Sequence, residues 1–289
     1  MLSIIVSSYQ PHFYQQLEKN IAETCGVPYE LIKIDNPGTM SITQAYNIGS
    51  KRAKSPYCLF LHEDVIFHTS QWGETLLKHL SISNVGVIGI AGSSYVPKAP
   101  TGWYMPKSSY NFYHFIQNDK TQKHPELKKN FPENKSMQKV FAVDGVFMAI
   151  NKNNIDGTLF NEKVEGYHGY DLEMSLRLSL YLQNYIIDDI LIEHFSKGNI
   201  DKQWLFNNIN IRKKMRCFQY QKQDDIEVEI QAFEDFISRY LRSEKVSLKN
   251  IMKVYQFYPF KLLNFSQHLK ILKLTFNFIR YRKDLNKNI

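Results

Sequence analysis

Cysteine is scarce in this chain, and long apolar runs are absent. Its 289 residues include three cysteines and no Cys-x-x-Cys pair, so neither a disulfide framework nor a zinc knuckle is expected. No uncharged apolar window reaches the roughly 18 residues that a membrane-spanning helix needs. The first residues lack the basic start and the long apolar core of a signal peptide. These absences predict a soluble protein of a reducing compartment, the cytoplasm.

Several catalytic motifs are also missing, and each absence argues against a class of enzyme. The chain has no P-loop, no His-Glu-x-x-His motif and no Gly-x-Ser-x-Gly motif. Gly86, Gly89 and Gly92 do not have the spacing of a dinucleotide-binding loop. The first predicted strand is followed by SSYQPHFY instead of a glycine-rich loop, which argues against a nucleotidyltransferase.

The charge is distributed unevenly along the chain. The net charge is +8, and from Lys245 onward ten basic residues and one acidic residue, Asp284, give +9, which leaves −1 for the preceding part. This tail is either an amphipathic helix packed on the preceding domain or an interfacial helix attracted to an anionic membrane surface. Nucleic acid is not an expected partner, because no recognised binding motif accompanies the charge. The apolar stripe of the tail comprises Leu262, Leu263, Phe265, Leu269, Leu272, Phe276 and Ile279.

Short apolar segments alternate with segments of helical periodicity over residues 1–200. Residues 2–8 are apolar and rich in β-branched side chains, which predicts a buried strand. Pro11 suits the first turn of a following helix, and Ser41 suits the N-cap of the next one. Alternating strands and helices predict an α/β fold with a doubly wound, mostly parallel sheet flanked by helices. Further strands are predicted at 31–34, 57–61, 85–90, 140–150 and 185–192.

Two segments depart from this alternation. Residues 93–138 are long, polar and without clear periodicity, which is typical of a functional loop. Residues 171–182 carry an apolar side chain at every second position, and this period alone indicates a strand. The residues are nevertheless helix formers and none is β-branched, so we predict a helix that is buried on two sides. The expected organisation is a ligand-binding domain over 1–200 and a basic helical extension over 201–289.

Polar residues stand at the ends of several predicted strands. Ligands of open α/β sheets bind beyond the carboxyl ends of the strands, so these side chains are expected on one rim. Asp64 and His194, with phosphate oxygens of a ligand, would suit Mn²⁺ or Mg²⁺. For any one residue alone a solvated turn is the better interpretation, and only the joint placement favours a metal site. The residues are Ser8, Tyr9, Gln10, Asp35, Asn36, His62, Glu63, Asp64, Glu193 and His194.

The segment EGYHGYD, residues 165–171, allows two interpretations. Its two glycines permit tight turns, and Asp171 stands at the start of the predicted helix. Asp is a favoured N-cap residue, which is a purely structural role. A carboxylate held close to the metal-binding rim could instead act as a general base. The segment alone does not favour either role.

Six motifs follow one another along about residues 1–200, and they are SIIVSSYQ, IDN, AYNIGSKRAKSPYCLFLHEDV, VFAVDGVFMAINK, YHGYDLEMSLRL and IEHFSKG. Taken in this order, they resemble the motifs of family-2-type glycosyltransferases with a GT-A fold. The similarity is greatest to a bacterial branch in which the Asp-x-Asp motif reads His-x-Asp. It depends on the order of the motifs more than on any one of them.

This resemblance implies a binding site for the donor nucleotide sugar. Ser8 and Tyr9 match the segment that binds the base and the ribose. Asp35 and Asn36 match the pair that helps to hold the uracil or its equivalent. The remaining residues expected at the donor or acceptor are Asn47 and Lys51 in the helix before the metal motif, His62 and Glu63 within it, and Asp144 and Gly145.

The resemblance also implies the metal ligands and the catalytic base. Asp64 matches the last carboxylate of Asp-x-Asp, the direct ligand of Mn²⁺ or Mg²⁺, and His62 replaces the first Asp. His194 matches a late histidine that completes the metal shell. Tyr170 replaces the Glu of a Glu-Asp pair, so that Asp171 takes the position of the base.

The activity implied is that of a metal-dependent, inverting hexosyltransferase. It would transfer a sugar from a nucleotide-diphosphate donor to a hydroxyl of a glycan or lipid-linked acceptor, in the synthesis of bacterial surface polysaccharide or of lipid-linked glycans. The protein would act in the cytoplasm or peripherally at the inner face of the membrane. The alternative is a non-catalytic GT-A-like module that binds a sugar nucleotide or a partner protein, for which the departures at His62 and Tyr170 are the hint.

Overall fold

The computed structural model describes residues 1–119, 124–196, 198 and 200–287. The chain forms two compact units. Unit 1 comprises Met1–Tyr95 and Ser108–Asn199, and unit 2 comprises Val96–Lys107 and Ile200–Ile289. The segment 96–107 thus leaves unit 1 and belongs to unit 2 in space.

Unit 1 contains a large sheet of seven strands in the order β2-β1-β3-β11-β5-β12-β9. In this sheet β2, β1, β3, β5 and β12 run in one direction, and β11 and β9 run in the other. The predicted doubly wound, mostly parallel sheet is therefore confirmed, with two antiparallel insertions. The strands are β1 (Leu2–Ser8), β2 (Tyr29–Asp35), β3 (Tyr57–Leu61), β5 (Val85–Gly89), β9 (Met137–Val140), β11 (Phe147–Asn151) and β12 (Gln183–Ile187).

A second sheet of unit 1 has the strand order β10-β6-β7-β13-β4, and β8 pairs with β7. Its importance for the site is that β13 runs antiparallel to β4 and so ends where β4 begins. The strands are β4 (Val65–Phe67), β6 (Ala91–Ser93), β7 (Asn111–Gln117), β8 (Glu126–Asn130), β10 (Ala142–Val143) and β13 (Ile192–His194).

Two apolar cores cover the two faces of the large sheet. Alternate residues of a strand point to opposite faces, and in β1 the side chains of Ile4 and Val6 enter one core while Ile5 enters the other. The helices of unit 1 are α1 (Pro11–Thr24), α2 (Ile42–Arg52), α3 (Trp72–Leu80) and α4 (Tyr170–Leu178). The first and third helices contribute to one core, and the second and fourth to the other.

The predicted start of α2 is confirmed. The Ser41 hydroxyl accepts a hydrogen bond from the Gln44 backbone N–H, and the Gln44 side chain accepts one from the Ser41 N–H. This capping box satisfies two N–H groups that would otherwise lack partners at the helix start. It fixes the point at which the chain turns from β2 into α2.

Two predicted segments differ from the structure. The expected loop at 93–138 contains β7 and β8, which form an antiparallel pair. The expected strand at 185–192 is divided into β12 and β13, which belong to different sheets. His194 therefore reaches the site from the small sheet instead of the large one.

Unit 2 is helical and has its own apolar core, which includes Phe233, Phe236 and Ile271. Among the described residues no helix is long and apolar enough to span a membrane. The helices are α5 (Lys202–Met215), α6 (Ile226–Ser243), α7 (Leu248–Tyr255), α8 (Phe265–Arg280) and α9 (Arg282–Leu285).

Candidate metal and catalytic centre

His62, Asp64 and His194 come together where β3 ends and β4 begins. The pairing of β11 with β3 places Phe147 opposite Leu61, and the His62 backbone N–H donates to the Val146 carbonyl. The pairing of β13 with β4 places His194 opposite Val65. Strand pairing in two sheets thus fixes the backbone on both sides of the three side chains.

One ligand atom from each of these residues could hold a metal ion. One oxygen of Asp64 and one nitrogen each of His62 and His194 all lie within 4.8 Å of one another. Asp64 Oδ1 is 3.7 Å from His194 Nε2 and 4.0 Å from His62 Nδ1. One carboxylate and two imidazoles form a suitable set for a divalent cation such as Mn²⁺, since imidazole binds transition metals better than it binds Mg²⁺.

The environment of His194 favours the neutral imidazole that metal binding requires. Burial lowers the pKa of His194, because it disfavours the charged form, while the nearby Asp64 carboxylate acts in the opposite direction. The Ser196 hydroxyl lies 3.1 Å from His194 Nε2. A neutral ring has a free electron pair for a cation, which a protonated ring lacks.

His62 makes its other contact with the buried residue Tyr170. His62 Nε2 lies 2.8 Å from the Tyr170 hydroxyl, and the same hydroxyl donates to the Gly145 carbonyl at 3.1 Å. Since Tyr170 precedes Asp171 in α4, this contact joins the metal-ligand cluster to the helix that carries the expected base.

Asp171 is a buried carboxylate in the first turn of α4. The interpretation of Asp171 as an N-cap is wrong, because Gly169 occupies that position in the left-handed conformation that glycine readily adopts. Asp171 Oδ2 instead accepts a hydrogen bond from the Gly145 backbone N–H at 3.1 Å. Burial first, and then the Asp144 charge, raise the pKa of Asp171 to about 7, which suits a general base at neutral pH.

The Asp144–Gly145 turn lies between the metal-ligand cluster and the start of α4. Asp144 Oδ1 accepts a hydrogen bond from the Val146 N–H. A Cβ atom at Gly145 would collide with the Tyr170 hydroxyl. Glycine is therefore required here for the close approach of the Tyr170 side chain to the backbone.

Glu63 holds the segment that follows β1. Its Oε1 accepts hydrogen bonds from the backbone N–H groups of Tyr9 and Gln10, at 3.1 and 3.0 Å. Its Oε2 is buried and has no hydrogen-bond partner among the described residues. Ser8 is buried, whereas the Tyr9 side chain is 64% exposed. The carboxylate thus fixes the backbone from within while the Tyr9 ring remains available on the surface.

The other residues predicted at the donor site mostly contact the protein itself. The Asn36 side chain bonds to the Met40 backbone, and Asp35 lies 2.7 Å from Lys33. Asn47 bonds to both backbone polar groups of Phe160. Lys51 is exposed in the last turn of α2.

Sequence reasoning assigned no site role to Tyr170 or Ser196, which contact His62 and His194. Tyr170 carried a signal, because the chain departs from the family pattern both there and at His62. When two residues differ from the family pattern and their motifs lie close together in the fold, a contact between the two side chains is expected. Ser196 carried none, since a serine two residues beyond a strand is common in any turn.

Comparison with known proteins identifies the family and the fold of this chain. The profile of a glycosyltransferase-like family matches residues 3–229, which is most of the chain. The chain belongs to this family. No curated protein sequence matches it.

Several solved structures have the same architecture. S. aureus TarS 1–349 in complex with UDP has a TM-score of 0.53 and 11% identity, over 100% of this chain and 92% of that one. GalNAc-T7 with UDP, GalNAc and Mn²⁺ has a TM-score of 0.51 and 11% identity, over 90% of this chain. This chain spans 58% of the GalNAc-T7 chain. The predicted GT-A fold is confirmed.

Proposed function

We propose that this chain is a metal-dependent, inverting glycosyltransferase that transfers a hexose from a nucleotide-diphosphate donor to a hydroxyl group of a glycan or lipid-linked acceptor. The observation that carries the proposal is the contact between the His62–Asp64–His194 cluster and the helix that presents Asp171. The complexes of TarS with UDP and UDP-GlcNAc and of GalNAc-T7 with UDP support a nucleotide sugar as the donor. The acceptor would be a precursor of bacterial surface polysaccharide.

Asp64 and His194 would hold the cation, with His62 as a third ligand. A bound divalent cation neutralises the charge that develops on the departing diphosphate. The carboxylate oxygen and two imidazole nitrogens fit Mn²⁺, and the Mn²⁺ in the GalNAc-T7 complex supports the same metal. Ser8, Tyr9, Asp35 and Asn36 would line the nucleotide subsite.

Asp171 would act on the acceptor. Its carboxylate takes the proton of an acceptor hydroxyl, whose oxygen then attacks the anomeric carbon as the bond to the diphosphate oxygen breaks. A single displacement of this kind inverts the anomeric centre. The hydrogen bond from Gly145 to Oδ2 fixes the carboxylate orientation, and Oδ1 is the oxygen that we assign to the proton.

The test is a screen of UDP-, GDP- and TDP-sugars for Mn²⁺-dependent release of the nucleoside diphosphate, with the unmodified protein and Asp171→Asn. We expect one donor to be turned over by the unmodified protein, with a loss of about 100-fold or more in the variant. Proton NMR of the product would show the anomeric configuration, and retention would contradict Asp171 as a base. Binding of a nucleotide sugar without turnover would instead indicate the non-catalytic module.

A further inference from the structure

The helix α8 has two apolar faces, of which unit 2 covers only one. Ile271, Thr275 and Phe278 are buried in unit 2. A second set of apolar residues is exposed at spacings of four and three, which places the set along one stripe of the helix. We call it the outer face, and it comprises Phe265, Leu269, Leu272, Phe276 and Ile279.

The outer face carries large apolar side chains that are exposed. Phe265 is 77% exposed and Phe276 is 60% exposed. Phe260, which is also exposed, lies with its ring centroid 5.0 Å from that of His268 and so extends the apolar surface near the start of α8. Contiguous exposed apolar side chains of this size mark a surface that binds something.

Basic side chains flank the outer face. Lys273 and Arg280 each follow a residue of the face, Leu269 and Phe276, by four positions and so lie along its edge. Both are exposed, and neither forms an ion pair in the part of the chain that the structure describes. The only acid from Lys245 onward is Asp284, which lies 3.3 Å from Lys287.

We propose that the outer face binds an anionic lipid bilayer, with its apolar side chains inserted between the headgroups and Lys273 and Arg280 on the phosphates. An apolar stripe with cations at its edge has the two features by which an interfacial helix binds such a surface. A second copy of the chain fits less well, because association through this face would bring two tails of net charge +9 together.

The test is flotation of the full-length protein with vesicles of phosphatidylcholine alone or with phosphatidylglycerol. We expect binding to the anionic vesicles only, weakened by salt. Leu269→Gln/Leu272→Gln/Phe276→Gln should lower the bound fraction at least about fivefold, and Lys273→Gln/Arg280→Gln should abolish the preference for phosphatidylglycerol. Leu180→Gln/Tyr181→Gln, which changes exposed apolar residues of unit 1, is the matched control.

Equal binding to both vesicle types, or no binding to either, would overturn the proposal. Light scattering after size exclusion tests the alternative that the outer face joins two copies of the chain. A dimer that the apolar triple variant dissociates, without any lipid binding, would show that the face joins two copies. Thermal unfolding of every variant should match that of the unmodified protein, so that lost flotation reports on the surface and not on folding.

A second inference is based on the contact between His62 and Tyr170 and depends on the proposed metal site. His62 stands where the Asp-x-Asp motif has its first Asp, Tyr170 stands where the Glu-Asp pair has its Glu, and these two side chains touch at 2.8 Å. Where that pattern has two carboxylates, this chain has an imidazole and a phenol. The two departures therefore form one interaction.

The hydrogen bonds around Tyr170 define which nitrogen of His62 carries the proton. A carbonyl oxygen can only accept, whereas an imidazole nitrogen can donate or accept, so both contacts of the Tyr170 hydroxyl are hydrogen bonds at once only if it donates to the Gly145 carbonyl. Towards His62 the hydroxyl is then an acceptor, which requires the proton on His62 Nε2. His62 Nδ1, 4.0 Å from Asp64 Oδ1, keeps its electron pair free on the side of the metal ligands.

We infer that Tyr170 is a positioning residue that holds His62 in the tautomer able to bind the cation through Nδ1. Partners of this kind behind a ligating histidine typically change metal affinity by about 10–100-fold. Tyr170→Phe removes the hydroxyl and keeps the ring. We expect it to weaken Mn²⁺ binding, measured by electron paramagnetic resonance or calorimetry, by at least about 10-fold. Tyr14→Phe, at another buried tyrosine, is the control.

Nitrogen-15 NMR of labelled histidine gives a readout that does not involve the metal. The His62 signals, assigned by their loss in His62→Gln, should show Nε2 protonated and Nδ1 unprotonated in the metal-free protein. Protonation of Nδ1 would overturn the inference. Equal Mn²⁺ affinities of the unmodified protein and Tyr170→Phe would overturn it while leaving the metal site intact. Failure of the unmodified protein to bind Mn²⁺ would overturn the proposed metal site as well.

Discussion

Oδ2 of Asp171 accepts a hydrogen bond from the backbone N–H of Gly145 at 3.1 Å, although 25 residues separate them along the chain. The bond stabilises the ionised carboxylate, whereas burial and the Asp144 charge oppose ionisation more strongly and raise the pKa of Asp171 to about 7. The carboxylate therefore changes its charge in the range where a general base operates. Four consequences of the candidate site can be measured with the purified protein, two at Asp171 and one each at His194 and Glu63.

We expect the rate of transfer to rise with pH through about 7. Only the ionised carboxylate can take a proton from the acceptor, so kcat/KM at saturating Mn²⁺ should fall about tenfold per pH unit well below pH 7 and level off above it. Donor binding, measured by calorimetry over the same range, should vary less. A profile that is flat between about pH 6 and pH 8 would contradict the assignment of Asp171 as the base.

We expect Asp171→Asn to be more stable than the unmodified protein above about pH 7. Because the folded-state pKa is raised from 3.8 to about 7, the folded protein holds this proton more tightly than the unfolded chain does. The contribution to stability is thus full below about pH 3.8 and is lost as the pH rises to about 7, by on the order of 4 kcal/mol at most.

Thermal unfolding at about pH 4.5 and pH 8 would test this stability difference. The variant should gain several degrees in Tm at the higher pH and less at the lower one. Asp156→Asn, which changes an exposed carboxylate, should have little effect at either pH. A variant that is less stable than the unmodified protein at pH 8 would show that the charge of Asp171 is compensated in the folded state.

We expect His194→Ala to weaken Mn²⁺ binding by at least about 10-fold, because it removes one of the three ligand atoms. Calorimetric titration of UDP with and without Mn²⁺ should show that the metal no longer strengthens nucleotide binding. Removal of the metal with EDTA should have the same effect on the unmodified protein. His68→Ala removes a histidine that bonds to the neighbouring Glu193, and this control should retain the metal dependence.

We expect Glu63→Ala to weaken nucleotide binding and to spare the metal. The substitution leaves the N–H groups of Tyr9 and Gln10 without the acceptor that fixes the backbone after β1. UDP affinity should fall by about 10-fold, while Mn²⁺ affinity stays within about twofold. Glu74→Ala, at an exposed glutamate, is the control. If Mn²⁺ affinity falls as far as UDP affinity, Glu63 supports Asp64 and not the segment after β1.

The alternation of strands and helices in the large sheet was predictable, because most of these elements have their own apolar period or start signal. In residues 171–178 the spacing of the apolar residues indicates a strand, whereas the residue types indicate a helix, and the residue types gave the correct prediction. Leu172, Met174, Leu176 and Leu178 alternate like a strand, yet they form a helix that is buried on most sides. Strands β7 and β8 were missed because their side chains are mostly half-buried or exposed, so neither has an alternating pattern.

At the site, the sequence predicted which polar residues follow the strands but not how their side chains would be used. His194 could be matched with Asp64 through the resemblance. The position of His194 at the end of β13 could not be predicted, because only strand pairing shows that β13 ends beside the start of β4. The bond from the Asn47 side chain to the Phe160 carbonyl joins residues that are far apart along the chain, so it was not foreseeable from the sequence.

The contact between His62 and Tyr170 has an evolutionary consequence. A change of His62 to Asp alone would set a carboxylate against the Tyr170 hydroxyl, whose one hydrogen is already used on the Gly145 carbonyl. A change of Tyr170 to Glu alone would bring a buried carboxylate beside His62 and close to Asp171. Each reversion is therefore expected to be harmful by itself and tolerable with the other, which is strong epistasis. Relatives of this chain should accordingly exchange the two positions together.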